Sequence, residues 1–339
     1  MSKKLIYILS PVLVLILVYA LGPSPTTPKW SKEMPIVPEN PEELEAYIAN
    51  QEGKHKIKPD NEARIVWFDS LKRKTEYSVI YLHGYSASQE EGDPVHQDFA
   101  KKFGCNLYLA RMADHGIDTV EQLLYFTPDR WWQSSKEALA IGKAIGEKVI
   151  VMSTSTGGTM ALTLASSYPD DVTALINMSP NIAINNPTAW ILNKPWGLQI
   201  ARMVTGSLYG DTTAIPGVDP ELSEKYGYNK CRLESACQLQ EMVTSKMNEK
   251  TFSKVTQPSI TLYYYKNEEE QDPTVKVSAI LDMNDKLGTP DNLKEAVPVP
   301  GAGTHVIGCY FRSHDVPAVQ SAIQKFALDK LKMRLAAEL

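Results

Sequence analysis

The sequence is poor in the features that mark several large classes of protein. Its 339 residues hold only 4 cysteines, Cys105, Cys231, Cys237 and Cys309, and no CxxC pair. That excludes a disulfide-stapled scaffold and a thiolate zinc site. The cysteines read as small buried apolar residues, with a Cys231–Cys237 bridge left open for an exported chain. No long run of Lys or Arg occurs, and 35 basic against 40 acidic residues leave a net charge of −5. The chain therefore lacks the positive surface that phosphate neutralisation needs, and no nucleic-acid partner is expected. There is no cluster of side chains at metal-ligand spacing, no dinucleotide glycine fingerprint and no internal repeat, so no cofactor is expected. What remains, at 43% hydrophobic and 22% charged, is an ordinary globular composition on a chain long enough for a substantial core.

Charge is missing locally as well. After Lys3 and Lys4 no charged residue occurs before Lys29, and Leu5 to Leu21 is apolar except for Ser10 and Pro11. As a helix that run would extend about 25 Å, the short limit for a membrane span and slightly beyond a usual signal-peptide core. Residues 1–22 thus read as a signal peptide, with Val18-Tyr19-Ala20 suited to cleavage after Ala20, or as a retained N-terminal membrane anchor. The two lysines hold the N-terminus in the cytoplasm, so the body is expected to be exported to a periplasmic or extracytoplasmic space, with membrane association through residues 5–21. Pro23, Pro25, Pro28, Pro35 and Pro38 then predict an extended linker over residues 23–40. The globular domain spans 41–339 and opens with a short helix over Glu42–Asn50.

Past the linker, short apolar runs alternate with amphipathic stretches. Strands are predicted over Ala63–Phe68, Tyr77–Leu82, Asn106–Ala110, Val149–Met152, Ala174–Met178, Ser259–Tyr265 and Ala296–Val299. Between them lie helices over Pro94–Phe103, Asp129–Ile145, Thr159–Ser167 and Thr274–Leu287, and Val316–Lys332 closes the chain. Such alternation indicates an α/β fold, a mostly parallel sheet with helices on both faces. Residues of about 181–257 interrupt it with no convincing strand. They carry helical pieces near Pro195–Thr205 and Leu233–Met247 together with Trp190, Trp196, Tyr209, Tyr226 and Tyr228. An insertion at that point leaves the sheet at its ligand-binding edge and can cap it.

Ser153-Thr154-Ser155-Thr156-Gly157-Gly158 falls between the strand at Val149–Met152 and the helix after it. A tight strand-to-helix turn lifts a serine hydroxyl clear of the sheet and points the next backbone N–H at a developing oxyanion. Small residues two before and two after the pivot let strand and helix approach. Ser155 meets that condition with Ser153 and Gly157, whereas a pivot at Ser153 would put Val151 in the first of those positions. A nucleophilic serine needs a base, and the base needs a carboxylate. Among the 6 histidines, His305 lies in a glycine-rich loop just beyond the strand ending at Val299, while His314 stands at a helix entry where capping is more natural. After Ser259–Tyr265, Asp272 ends a polar loop ahead of Pro273 and Val275. Glu268, Glu269 and Glu270 in the same loop are the other carboxylates in reach.

The ordered set His83-Gly84, Asp114-His115-Gly116, Ser155, Asp272-x-x-Val275 and His305 resembles the α/β-hydrolase fold, in its capped esterase, monoacylglycerol lipase and serine aminopeptidase branch. The resemblance covers most of residues 60–332. It implies a Ser155–His305–Asp272 triad, with the Tyr85 and Thr156 backbone N–H groups as oxyanion hole and structural roles for His83 and His115. It departs from the family pattern in having Ser153 where a glycine is usual. Dehalogenases and epoxide hydrolases of similar fold use Asp at the pivot, so the serine points away from them. The expected activity is hydrolysis of a small-molecule carboxylic ester, lipid-like or small acyl. An amide hydrolase or acyltransferase with the same triad, or an inactive membrane-tethered binding protein, are the competing readings. A peptidase would be favoured by acidic residues in the cap that hold a substrate amino terminus; Glu221, Glu224, Glu234 and Glu241 are there, but they read as ordinary helix and loop surface.

Overall fold

The computed structural model describes residues 3–210 and 218–338. The chain begins with α1 (Lys3–Ala20), runs on without helix or strand, and enters the body at α2 (Pro41–Glu52). Asn40 caps α2 by accepting the Glu43 N–H at 3.0 Å, and Pro41 fits the first turn because its missing donor is not needed there. Next come β1 (Arg64–Val66), β2 (Thr75–Leu82), α3 (Val95–Phe103), β3 (Asn106–Leu109) and α4 (Pro128–Ile145). The strand β4 (Gly146–Thr154) leads directly into α5 (Thr156–Ser167), and β5 (Val172–Met178) follows. After the cap insertion the sheet resumes with β8 (Ser259–Tyr263), α10 (Val277–Lys286), β9 (Lys294–Pro298) and α11 (Val316–Asp329), where β6 and β7 belong to the cap.

The seven strands stand in the order β1-β3-β2-β4-β5-β8-β9, and every neighbouring pair is parallel except β1 with β3. This is the mostly parallel sheet expected from the alternation, and it is the α/β-hydrolase fold that the resemblance implied. Period-two alternation explains why both faces are covered. Val149 and Val151 of β4 join Trp131, Leu139 and Leu162 on one side, and Ile150 and Met152 join Phe99 and Phe326 on the other. The register sets Leu82 beside Ser153, and Ser153 beside Asn177. The carboxyl ends of the central strands therefore meet at one place.

The cap consists of α6 (Gly197–Thr205), β6 (Leu208–Tyr209), α7 (Pro220–Tyr226), β7 (Cys231–Arg232), α8 (Leu233–Lys246) and α9 (Glu249–Phe252), with residues 211–217 outside the described residues. The expectation of no strand there fails at one point: Leu208 pairs with Arg232 and Tyr209 with Cys231. Two residues are too few for alternation to register. The helix expected from Thr274 starts only at Val277, because the intervening residues wrap around the Asp272 carboxylate. All four cysteines are free buried thiols, so Cys231 and Cys237 form no bridge.

Residues 23–40 lie against the body. The Asp129 carboxylate accepts the Lys29 and Trp30 N–H groups at 2.8 and 3.1 Å, and the Trp132 indole donates to the Ser31 carbonyl at 2.7 Å. The Tyr168 hydroxyl donates to the Lys32 carbonyl at 2.8 Å, and the buried Lys136 ammonium to the Glu33 carbonyl at 2.5 Å. Trp30 meets Trp132 edge-on at 5.8 Å. Further upstream, Trp196 of the cap donates from its indole to the Val18 carbonyl and from its backbone to the Pro23 carbonyl, both at 2.9 Å. Among the described residues no helix is long and apolar enough to cross a membrane. A protein starting at Pro41 loses the whole strap and leaves the Lys136 ammonium without its acceptor. Relative to one starting at Pro23, its thermal midpoint is expected to fall by about 5 °C or more, read by circular dichroism.

Candidate active site

The site is built on a bend in the chain at Ser155. Its φ of 53° and ψ of −119° lie where L-residues are strained. Three backbone hydrogen bonds hold it there: Ser155 N–H to Met178 O at 3.0 Å, and Gly158 and Asn181 N–H to Ser155 O at 2.9 and 2.8 Å. The bend requires α5 to pass hard against β2. A Cβ on Gly157 would sit 1.9 Å from the Leu82 carbonyl oxygen, so no other residue fits. Ser153, the departure from the family pattern, is fully buried and its hydroxyl donates to Asn177 Oδ1 at 2.8 Å. A serine is accommodated because the next strand supplies an acceptor for it.

Thr156 opens α5, so its N–H is one of the helix's unpaired donors at the positive end of the dipole. The Tyr85 N–H comes from the loop after β2, and the Tyr85 ring is fixed by an edge contact with Phe126 at 5.6 Å and a hydroxyl contact with Ser235 at 2.5 Å. Two buried histidines shape that loop. His83 Nδ1 donates to the Gly84 carbonyl while Nε2 accepts the Met112 N–H at 3.1 Å. His115 Nδ1 donates to the Ala113 carbonyl while Nε2 accepts the Ser86 N–H at 3.0 Å. Both rings must be neutral to accept. Burial pushes both down, His83 well below the usual imidazole range and His115 to about 4.

His305 is held differently. Its Nδ1 donates to Asp272 Oδ2 at 2.7 Å, and Asp272 Oδ1 takes the Thr274 and Val275 N–H groups at 2.8 and 3.0 Å. Burial pushes the imidazole down, but the Asp272 carboxylate and, at longer range, Glu91 more than offset it and hold His305 above its ordinary value. Burial likewise works to raise Asp272, and the His305 charge with the hydrogen bonds from His305, Val275 and Thr274 keeps it below the usual carboxylate range. His305 Nε2 is buried and has no partner among the described residues, so no hydrogen bond joins it to Ser155 Oγ. Ser155, Thr156, Tyr85 and His305 line one cleft of about 630 Å³ beneath the cap.

The other carboxylates of the Asp272 loop point elsewhere: Glu270 pairs with Lys266, and Glu268 accepts from Tyr265. His314 does not cap the last helix, since Asp315 accepts the Ala318 N–H at 3.2 Å. Two residues at the cleft carry no signal in the sequence. Glu91, in an acidic stretch that reads as surface, is buried, takes the Gly84 N–H at 2.6 Å, and is pushed up by burial to about 7. Arg312 reaches the cleft from the loop after His305.

Comparison with known proteins places the chain. A family model described as serine aminopeptidase, S33, matches residues 75–266, more than half of the chain. No curated protein matches at a significant level. Among solved structures, one of the metagenome-derived lipolytic enzymes LipS and LipT is similar with a TM-score of 0.64 at 14% identity, over 80% of this chain and 98% of that one. A soluble variant of monoglyceride lipase from Saccharomyces cerevisiae, in complex with a substrate analogue, gives a TM-score of 0.58 at 14% identity over 79% and 91%. Est1E from Butyrivibrio proteoclasticus with ferulic acid bound gives 0.53 at 21% identity over 80% and 95%. At these identities the likeness is one of fold.

The neutral histidines yield a stability test. The folded chain binds fewer protons at His83 and His115 than the unfolded chain, so their stabilisation is present above the ordinary imidazole value of 6.5 and is lost as pH falls toward about 4. Urea midpoints are expected to decline through that window, and less steeply for His115→Gln measured against its own neutral-pH value.

Proposed function

The chain belongs to the serine aminopeptidase S33 family of α/β hydrolases, and from that premise we propose that it cleaves a carboxylic ester through an acyl-enzyme on Ser155. One observation carries the reading: a strained serine opens a helix in the same cleft as a histidine bound to a buried carboxylate. In this mechanism substrate binding turns the Ser155 hydroxyl toward His305 Nε2, which takes its proton as Oγ attacks the acyl carbonyl. The Asp272 carboxylate stabilises the imidazolium. The Tyr85 and Thr156 N–H groups receive the oxyanion, assisted by the positive end of α5. Collapse expels the alcohol with the proton from His305, and water releases the acid by the same route.

Ester rather than peptide hydrolysis is favoured by the cap glutamates. Glu224 approaches Lys58, Glu234 pairs with Arg202 and Arg232, Glu241 accepts from Asn193, and none of these or Glu221 lines the cleft. Est1E is a structure with ferulic acid bound and the yeast lipase one with a substrate analogue, which supports a small-molecule ester here. We also place the body outside the cytoplasm, held to or released from a membrane by residues 5–21. The support is the charge-free run between Lys4 and Lys29.

Fluorophosphonate labelling of residues 23–339, read by mass spectrometry, is expected to modify Ser155 and to fail in His305→Ala. An unlabelled folded protein would overturn the reading. The neutral imidazole is the base and its affinity for protons is raised, so kcat/KM is expected to rise through a titration above the ordinary 6.5. Glu91→Gln removes a negative charge near His305, and should move that acid limb to lower pH.

A further inference from the structure

Arg64, Arg73, Arg111, Arg130, Arg202 and Arg232 each sit in an ion pair. Arg334 is exposed, where water solvates a cation cheaply. Arg312 differs from both kinds. It is half-buried, it lines the cleft that holds Ser155 and His305, and among the described residues no carboxylate lies within ion-pair distance. Burial lowers its affinity for the proton, the sign of a charge held in a poorly solvated place.

The guanidinium is nevertheless fixed in position. Nη2 donates to Ser223 Oγ of α7 at 2.9 Å, and the group lies over the Phe311 ring at 5.6 Å. Glu91 is the acid that also lines the cleft. Its carboxylate takes the Gly84 N–H at 2.6 Å and forms no ion pair with Arg312. A held guanidinium whose other N–H groups have no partner among the described residues matches a planar or tetrahedral oxyanion.

We propose that Arg312, with Ser223, forms an anion subsite in the cleft, and that the ester cleaved at Ser155 carries a carboxylate or phosphate group. This deepens, and rests on, the ester hydrolase reading. The site joins a loop of the body to a helix of the cap, so the charged end of the substrate lies between them while its carbonyl meets Ser155. A cation that served only to tie cap to body would be indifferent to substrate charge.

Two matched pairs of esters test it: p-nitrophenyl hemiglutarate against p-nitrophenyl valerate, and butyrylglycerol phosphate against butyrylglycerol. The quantity read is the ratio of kcat/KM for the anionic over the neutral member. Wild type is expected to favour the anionic member of one pair, and the pair identifies carboxylate or phosphate. Arg312→Gln should lower that ratio by about 10- to 100-fold, mainly through KM, with partial recovery in Arg312→Lys. A wild-type preference for both neutral esters overturns the proposal, and so does a ratio unmoved by Arg312→Gln. If Ser155 takes no fluorophosphonate and no ester turns over, the esterase reading fails, and the subsite is read by binding instead. Millimolar glutarate or inorganic phosphate should then raise the thermal midpoint of wild type and leave Arg312→Gln unchanged. No rise in wild type would sink the subsite as well.

Discussion

The geometry of the whole cleft depends on the close passage of α5 over the end of β2, which leaves no room for a side chain on Gly157. That contact forces the turn between β4 and α5 to be sharp. The sharpness puts Ser155 at positive φ, and the strain is held by bonds to Met178, Gly158 and Asn181. Because Ser155 and Thr156 are consecutive, the same bend that presents the hydroxyl also directs the first helical N–H into the cleft. One packing constraint thus sets two groups whose relative placement matters. The rest of the sheet acts as a frame that keeps β2, β4 and β5 in register at their carboxyl ends.

Histidine serves this frame in two opposite electrical states. His83 and His115 each accept a backbone N–H, so a proton on either would break the loop that carries Tyr85. His305 has a carboxylate on one side and, among the described residues, a nitrogen without a partner on the other, so a proton is welcome there. Burial depresses all three equally in kind. The partner decides which ring stays neutral and which is ready to be charged.

Patterns repeated over several residues are readable in the sequence, and single contacts between distant segments are not. The strand–helix alternation gives the sheet and its cap, because each element repeats its periodicity. Ser155, Asp272 and His305 stand out through chain order and turn chemistry, and the structure brings Asp272 and His305 into contact and Ser155 onto the same cleft. Ser153 looks like a defect in a motif until Asn177, on the next strand, supplies its partner. Glu91 sits beside Glu90 in a stretch that reads as solvated, and only the approach of Gly84 shows that it turns inward. Arg312 has no periodic context at all. Its meaning lies in its place in the cleft, where no carboxylate among the described residues pairs with it.

The N-terminal strap touches both the body and the cap. Its bonds to Asp129, Trp132 and Lys136 run along one helix of the body, and its bonds to Trp196 reach the cap. Any swing of the cap at Trp196 must therefore pull on the chain that leads to α1. A chain without residues 1–20 would lose the Val18 acceptor and keep the Pro23 one, so the indole of Trp196 would be released while its backbone N–H stayed bound. The freedom of the cap is in this way tied to the segment that precedes the body, with one tryptophan as the latch.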